Sequence, residues 1–184
     1  MRDSPSDGRS SIGRRRLLAG AGAALLGAAA GCTSLGGASE PEEPDIDRLT
    51  ELAVYRADGV ELTFPEGVST VDAPEDAYVV VLPGDTDVGP EQAAAWFTAG
   101  RVVALVGDGA EPTYLDWRQS DTFADTFENE GLGDASPDPQ LLAAESVDRF
   151  LYRYGRTWEG GPSESQLIGG LDEILVEMES RTPS

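Results

Sequence analysis

Residues 77–109 read AYVVVLPGDTDVGPEQAAAWFTAGRVVALVGDG, and this stretch decides the fold. Tyr78 to Leu82 is a continuous, β-branched apolar run, the mark of a strand buried on both faces. Pro83-Gly84 stops it. Gly89 then precedes Pro90 and Glu91, which place a proline at the first helical position and an acid in the first turn. The spacing predicts a helix to Ala99, with Gly100 as its C-terminal cap. Val102 to Val106 is a second buried strand, closed by Gly107. Strand, helix and strand within about thirty residues predict a right-handed βαβ unit with parallel strands.

The flanking sequence extends this unit on both sides. Ile46 to Ala57 predicts a short helix followed by an extended piece, and Val60 to Phe64 alternates as a strand does. Thr122 to Gly131 predicts a short helix. Arg149 to Tyr154 alternates Phe150, Tyr152 and Tyr154 and predicts another strand. Ser163 and Gln166 have the spacing of a capping box. Beyond them Leu167, Ile168, Leu171, Ile174, Leu175 and Met178 form one helical stripe. The expected fold is a small three-layer α/β domain with a mostly parallel sheet over residues 46–184. A domain of that size buries roughly two-thirds of its unfolded surface and can stand alone.

Composition removes whole classes of chemistry. The chain has 184 residues, 34 Asp plus Glu, 13 Arg, no Lys, no His and one Cys, for a net charge of −21. Such a charge disfavours any partner bound through its phosphates, nucleic acid included. Without His, and with one Cys, structural zinc sites, Ser–His–Asp triads and internal disulfides cannot be built. A dense acidic surface with Arg as its only large cation keeps a protein hydrated in concentrated salt, as in extreme halophiles. A GC-rich genome favouring Arg, Ala, Gly and Asp codons would bias the composition in the same direction.

The N-terminus reads as an address. Residues 1–16 are polar and basic, and Leu17 to Ala30 (LLAGAGAALLGAAA) is apolar. As a helix that run would be roughly 21 Å long, short for a hydrocarbon core of about 30 Å, which predicts an export signal over residues 1–31. Arg14-Arg15, followed by Arg16-Leu17-Leu18, resembles the twin-arginine signal, which implies export of folded cargo. Ala29-Ala30-Gly31-Cys32 resembles a lipobox, with Ala29 where the pattern usually has Leu. The resemblance implies cleavage before Cys32 and lipid on its sulfur. Residues 32–45 then form the lipidated Cys and a flexible acidic tether, Gly/Ser-rich and then Pro/Glu-rich. The expected location is the extracytoplasmic face of the cell membrane, with the lipid as the membrane contact.

Chemistry, if present, is expected at the carboxyl ends of the parallel strands. Gly84-Asp85 follows the first buried strand and Gly107-Asp108 the second; Asp87 lies close by. Tyr114, Asp116 and Trp117 are expected on the same edge. Asp85, Asp87, Asp108 and Asp116 are therefore the candidate ligand or metal residues, and Mg²⁺ or Ca²⁺ would suit their oxygens. The plainer reading is that Asp and Gly simply make turns. Asp85-Thr86-Asp87-Val88 resembles the nucleophile loop of haloacid-dehalogenase-type phosphatases, although Pro83-Gly84 intervenes and no Lys is present. Gly107-Asp108-Gly109 resembles the nucleophile elbow of glutamine-amidotransferase-like domains, with Asp108 in place of the Cys. That second resemblance implies a flavodoxin- or amidotransferase-like scaffold without its hydrolytic residues, reused for binding.

The expected function is thus a membrane-anchored, non-catalytic binding or accessory module with no resident cofactor. The domain is too small for a two-lobed solute receptor. One alternative is a divalent-cation-dependent hydrolase using Asp85, Asp87 and Asp108, which requires their side chains to converge. Another is docking on a membrane-complex protein through an exposed apolar patch that includes Trp117 or Trp158. A structural spacer is a third.

Overall fold

A computed structural model describes residues 46–128 and 137–181. The signal (1–31), the tether (32–45), Arg14, Arg15, Cys32 and residues 129–131 of the expected helix all lie outside the described residues. Six strands form one sheet: β1 (Ala53–Arg56), β2 (Ser69–Val71), β3 (Val79–Pro83), β4 (Val102–Val106), β5 (Leu141–Val147) and β6 (Phe150–Arg156). Four helices accompany them: α1 (Pro90–Thr98), α2 (Ala110–Gln119), α3 (Asp121–Thr126) and α4 (Glu164–Arg181). The strand order is β2-β1-β3-β4-β5-β6. The β2–β1, β1–β3 and β3–β4 pairs are parallel, whereas β4–β5 and β5–β6 are antiparallel. The class is α/β, with a mixed sheet whose first four positions are parallel.

The alternation along the central strands builds two cores. Val80, Leu82, Val103, Leu105, Leu142 and Ala144 face α1, α2 and α3. Val79, Val81, Val102, Ala104, Leu141 and Ala143 face α4. The sheet therefore lies between two covering layers. Phe97, Phe123 and Phe127 lock α1 to α3 through edge-on and tilted ring contacts 5.2–6.1 Å apart.

The capping box forms as its spacing requires: the Ser163 amide donates to Gln166 Oε1, and the Gln166 amide donates to Ser163 Oγ. The stripe Ile168, Leu171, Ile174, Leu175 and Met178 is buried against the sheet. Burial of each such side chain contributes about 1.5–3 kcal/mol. Gly170 stands inside the continuous helix for a packing reason: a Cβ there would lie 2.9 Å from Trp158 Cζ2. Asp172, 5% exposed, accepts from the Leu49 amide at 2.6 Å. This bond ties α4 to the 3₁₀ turn Leu49–Glu51 that leads into β1.

Several sequence expectations need correction. Val60–Phe64 is not a strand. Val60 and Leu62 do point inward, but β1 already has β2 on one edge and β3 on the other. The segment therefore lies as irregular cover on the α4 face. β2, β5 and α2 are additional elements. The expected helix at Thr122 begins one residue earlier and ends at Thr126. Tyr114, Asp116 and Trp117 belong to α2 and not to a strand-end loop. Trp117 is 2% exposed and donates through Nε1 to the Val88 carbonyl at 2.8 Å. Trp158 packs on Gly170. Trp117 is thus buried away from any exposed patch, and Trp158 is partly buried.

Asp172→Ala leaves the buried Leu49 amide without its carboxylate acceptor. The expected loss is about 1–3 kcal/mol of unfolding free energy, read by denaturant unfolding, with Asp172→Asn losing less.

Candidate site where β1 and β3 diverge

The parallel order contains one point of divergence. From the carboxyl end of β1 the chain passes to β2 on one side. From β3 it passes to β4 on the other side. The first connection covers the α4 face through Val60, Leu62, Phe64 and Val68. The second runs through α1 on the opposite face. Connections that part in this way leave a crevice above the strand ends, the place where open α/β sheets take ligands.

An open hollow of about 460 Å³ occupies that place. Tyr55, Ala57 and Asp58 wall it from β1, and Pro83, Asp85, Thr86, Asp87 and Val88 from β3. Trp96 of α1 also lines it. Asp58, Asp85 and Asp87 are exposed. Trp96 is 6% exposed, and its indole N–H has no hydrogen-bond partner among the described residues. A buried donor left unpaired costs about 1–3 kcal/mol.

The loop that carries Asp85 and Asp87 is held from behind. The Gly84 amide donates to the Val106 carbonyl at 2.8 Å, and Thr113 Oγ1 donates to the Gly84 carbonyl at 2.6 Å. Trp117 fixes Val88 at the far end of the loop. The two Gly-Asp turns meet backbone to backbone. A Cβ on Gly84 would fall 2.5 Å from the Asp108 carbonyl oxygen and 2.8 Å from the Ala110 amide nitrogen. Gly109 adopts φ 89°, and a Cβ there would lie 3.3 Å from the carbonyl carbon and oxygen of Gly84. Both glycines are required by this contact.

The structure thus separates the candidate residues. Asp85 and Asp87 share the hollow. Asp108 contributes its backbone to the turn contact and is not among the residues lining the hollow, and Asp116 is an exposed position of α2. Among the described residues no group of three or more Asp, Glu, His or Cys is arranged to hold a metal ion. Asp58 and Tyr55 are additional walls. Asp58-Gly59 repeats, at the end of β1, the pairing of acid and glycine seen after β3 and β4, and that repetition is the signal that could have found it.

Gly84→Ala forces two backbones apart. It is expected to cost about 1–3 kcal/mol or more, measured by chemical denaturation, and to exceed the cost of Gly89→Ala, where a Cβ meets only the Glu91 carboxylate at 3.4 Å. Comparison of the chain with known protein families, with characterised proteins and with solved structures found no match, so the crevice and its walls are what bears on function.

Proposed function

We propose that this chain is a lipoprotein exported in folded form by the twin-arginine route and held by lipid on Cys32 at the outer face of the membrane. There its α/β domain acts as a non-catalytic binding or accessory module. The arginine pair Arg14-Arg15, the short apolar run and Gly31-Cys32 support the address. Among the described residues no helix is long and apolar enough to cross a membrane. The mature chain from Cys32 has 32 acidic residues against 8 Arg, a charge of −24. Anionic headgroups repel such a domain and the tether holds it away from them. The same acidity reads as adaptation to concentrated salt.

The observation that carries the binding reading is the crevice between β1 and β3, with its unpaired Trp96 N–H and its acidic mouth. A ligand that accepts a hydrogen bond and carries positive charge complements those walls. Divalent Mg²⁺ or Ca²⁺ at Asp85 and Asp87 would need further oxygens from the ligand or from water. The layered, partly parallel sheet is compatible with a flavodoxin- or amidotransferase-like ancestry in which Asp108 occupies the nucleophile position. The alternative, a cation-dependent hydrolase, draws support only from the Asp-Thr-Asp-Val loop. The remaining member of its trio, Asp108, does not line the hollow.

Two experiments test this reading. Cys32→Ala is expected to move the protein from the membrane fraction to the external medium, and replacement of Arg14 and Arg15 by Lys to retain it inside the cell. Unchanged membrane association of Cys32→Ala would refute the lipid anchor. Turnover of p-nitrophenyl phosphate by the full chain with Mg²⁺ is expected to be absent; turnover lost in Asp85→Asn would establish the hydrolase instead.

A further inference from the structure

A second hollow lies on the other side of the sheet, far in sequence from the crevice. β5 and β6 form a hairpin whose turn residues Asp148 and Arg149 both have positive φ, 50° and 70°, as a two-residue hairpin of primed type requires. Their strain is offset in part by Arg149, which donates to the carbonyls of Thr126 and Asp125 at 3.0 and 3.2 Å. The register pairs Glu145 with Tyr152, Val147 with Phe150 and Ala143 with Tyr154. Ala143 and Tyr154 belong to the α4-side core, so strand alternation puts Glu145, Val147, Phe150 and Tyr152 on that face too. α4 ends at Arg181, and a pocket of about 280 Å³ remains between its last turn and the hairpin.

Its lining is unusual for so acidic a chain. Phe150, Tyr152 and Tyr154 supply aromatic surface, and Arg181 lies over the Tyr154 ring at 5.3 Å. That ring face therefore already accepts a cation. Tyr154 is 1% exposed, yet its hydroxyl has no hydrogen-bond partner among the described residues. Glu145 is half-buried in the same wall and also lines a smaller hollow that holds Tyr78, Arg48 and Glu179. No hydrogen bond or ion pair to Glu145 is found among the described residues, whereas Arg48 is paired with Glu51 and Glu179. A half-buried carboxylate in no ion pair and a buried phenol with no hydrogen-bond partner, both as judged among the described residues, are a pair of unmet demands in a pocket whose one cation, Arg181, lies over the Tyr154 ring.

We infer that this aromatic pocket binds a small organic cation, a primary ammonium carrying a short apolar tail, whose N–H groups engage Glu145 and Tyr154 Oη while its tail lies along Phe150 and Tyr152. An ammonium presents three donors and can serve both oxygens at once. A quaternary ammonium has none. A bare alkali cation leaves the aromatic surface unused.

The electrostatics agree with this geometry. Burial raises the Glu145 carboxyl above the ordinary range. Burial, and then the Glu145 charge, raise both Tyr154 and Tyr78; Arg181 opposes the shift at Tyr154, and Arg48 at Tyr78. Glu177, Glu179 and Tyr152 add to these shifts, and Asp148 stands at the pocket wall. For a carboxyl whose folded pKa lies above its unfolded one, the stabilising contribution is present at low pH and is lost as pH rises through the folded value. Once ionised, Glu145 is therefore a liability that a bound cation removes.

The test is calorimetric titration of the full chain in concentrated KCl, which screens the diffuse acidic surface. The probes are n-butylammonium, tetramethylammonium and butanol. One saturable n-butylammonium site is expected, at least tenfold weaker in Glu145→Gln and severalfold weaker in Tyr154→Phe, and unchanged in Asp116→Asn. Tetramethylammonium and butanol should bind at least tenfold more weakly than n-butylammonium. Thermal melts supply a readout independent of binding. The melting advantage of Glu145→Gln over the parent should grow as pH rises and close on acidification, and n-butylammonium should raise the midpoints of the parent and of Asp116→Asn more than that of Glu145→Gln. Absence of a saturable site, equal binding by Glu145→Gln, or equal affinity for tetramethylammonium would overturn the proposal.

Discussion

Everything in this domain follows from two strands, β3 and β4, that are apolar on both faces. Val79 to Leu82 and Val102 to Leu105 are all buried, so neither face of the pair can meet water. A parallel pair with two apolar faces must be sandwiched. α1 to α3 close one face and α4 the other. The remaining features are adjustments to that requirement. The buried Asp172 bonds the last helix to the entry of the first strand, Gly170 makes room for Trp158, and a segment with strand-like alternation serves as cover.

The same constraint produces the candidate crevice. Chains that leave neighbouring parallel strands for opposite faces cannot both cover the strand ends, and the gap they leave is lined by whatever the turns carry. Here the turns carry acids, while the helix behind them contributes an indole N–H without a partner. Rigidity comes from backbone contacts. Gly84 and Gly109 allow the two turns to touch, and Thr113 and Trp117 hold the loop from α2. A site framed in this way is held in shape by its backbone contacts.

Arginine has a structural role that the absence of lysine makes visible. Arg153 pairs with Glu111 at 2.6 Å and lies 5.9 Å from the Tyr114 ring centroid, joining β6 to α2. Arg156 reaches Glu177 at 2.7 Å and Glu173 at 3.7 Å, joining β6 to α4. The edge strand is thus held to a covering element on each face by a planar, multi-donor cation. The Arg156 pairs, whose glutamates are exposed, contribute little singly, about 0–1 kcal/mol, and less in salt, whereas the Arg153–Glu111 pair is partly buried on both sides. Their placement at the sheet edge nevertheless fixes which face of β6 each helix covers.

How much was legible differs between fold and site. The sequence by itself determined the βαβ unit, the terminal helix with its capping box, an extended piece within 46–57 and a strand at 149–154, which the structure places at 53–56 and 150–156. In those segments local pattern and final burial agree: both faces apolar, or one stripe apolar. It also placed acids at the ends of β3 and β4. Tertiary structure alone decided the rest. Leu141–Val147 is Ala-rich with a Glu and shows no strand period, and it becomes a strand because β4 and β6 flank it. Val60–Phe64 has the period and fails as a strand because no edge of β1 is free. Asp108 does not line the hollow that Asp85 and Asp87 share, whereas Asp58, from the end of β1, and Trp96, from α1, do. Glu145 and Tyr154 came together through antiparallel register. Pairing partners and free edges are properties of the whole sheet, and no local window of sequence contains them.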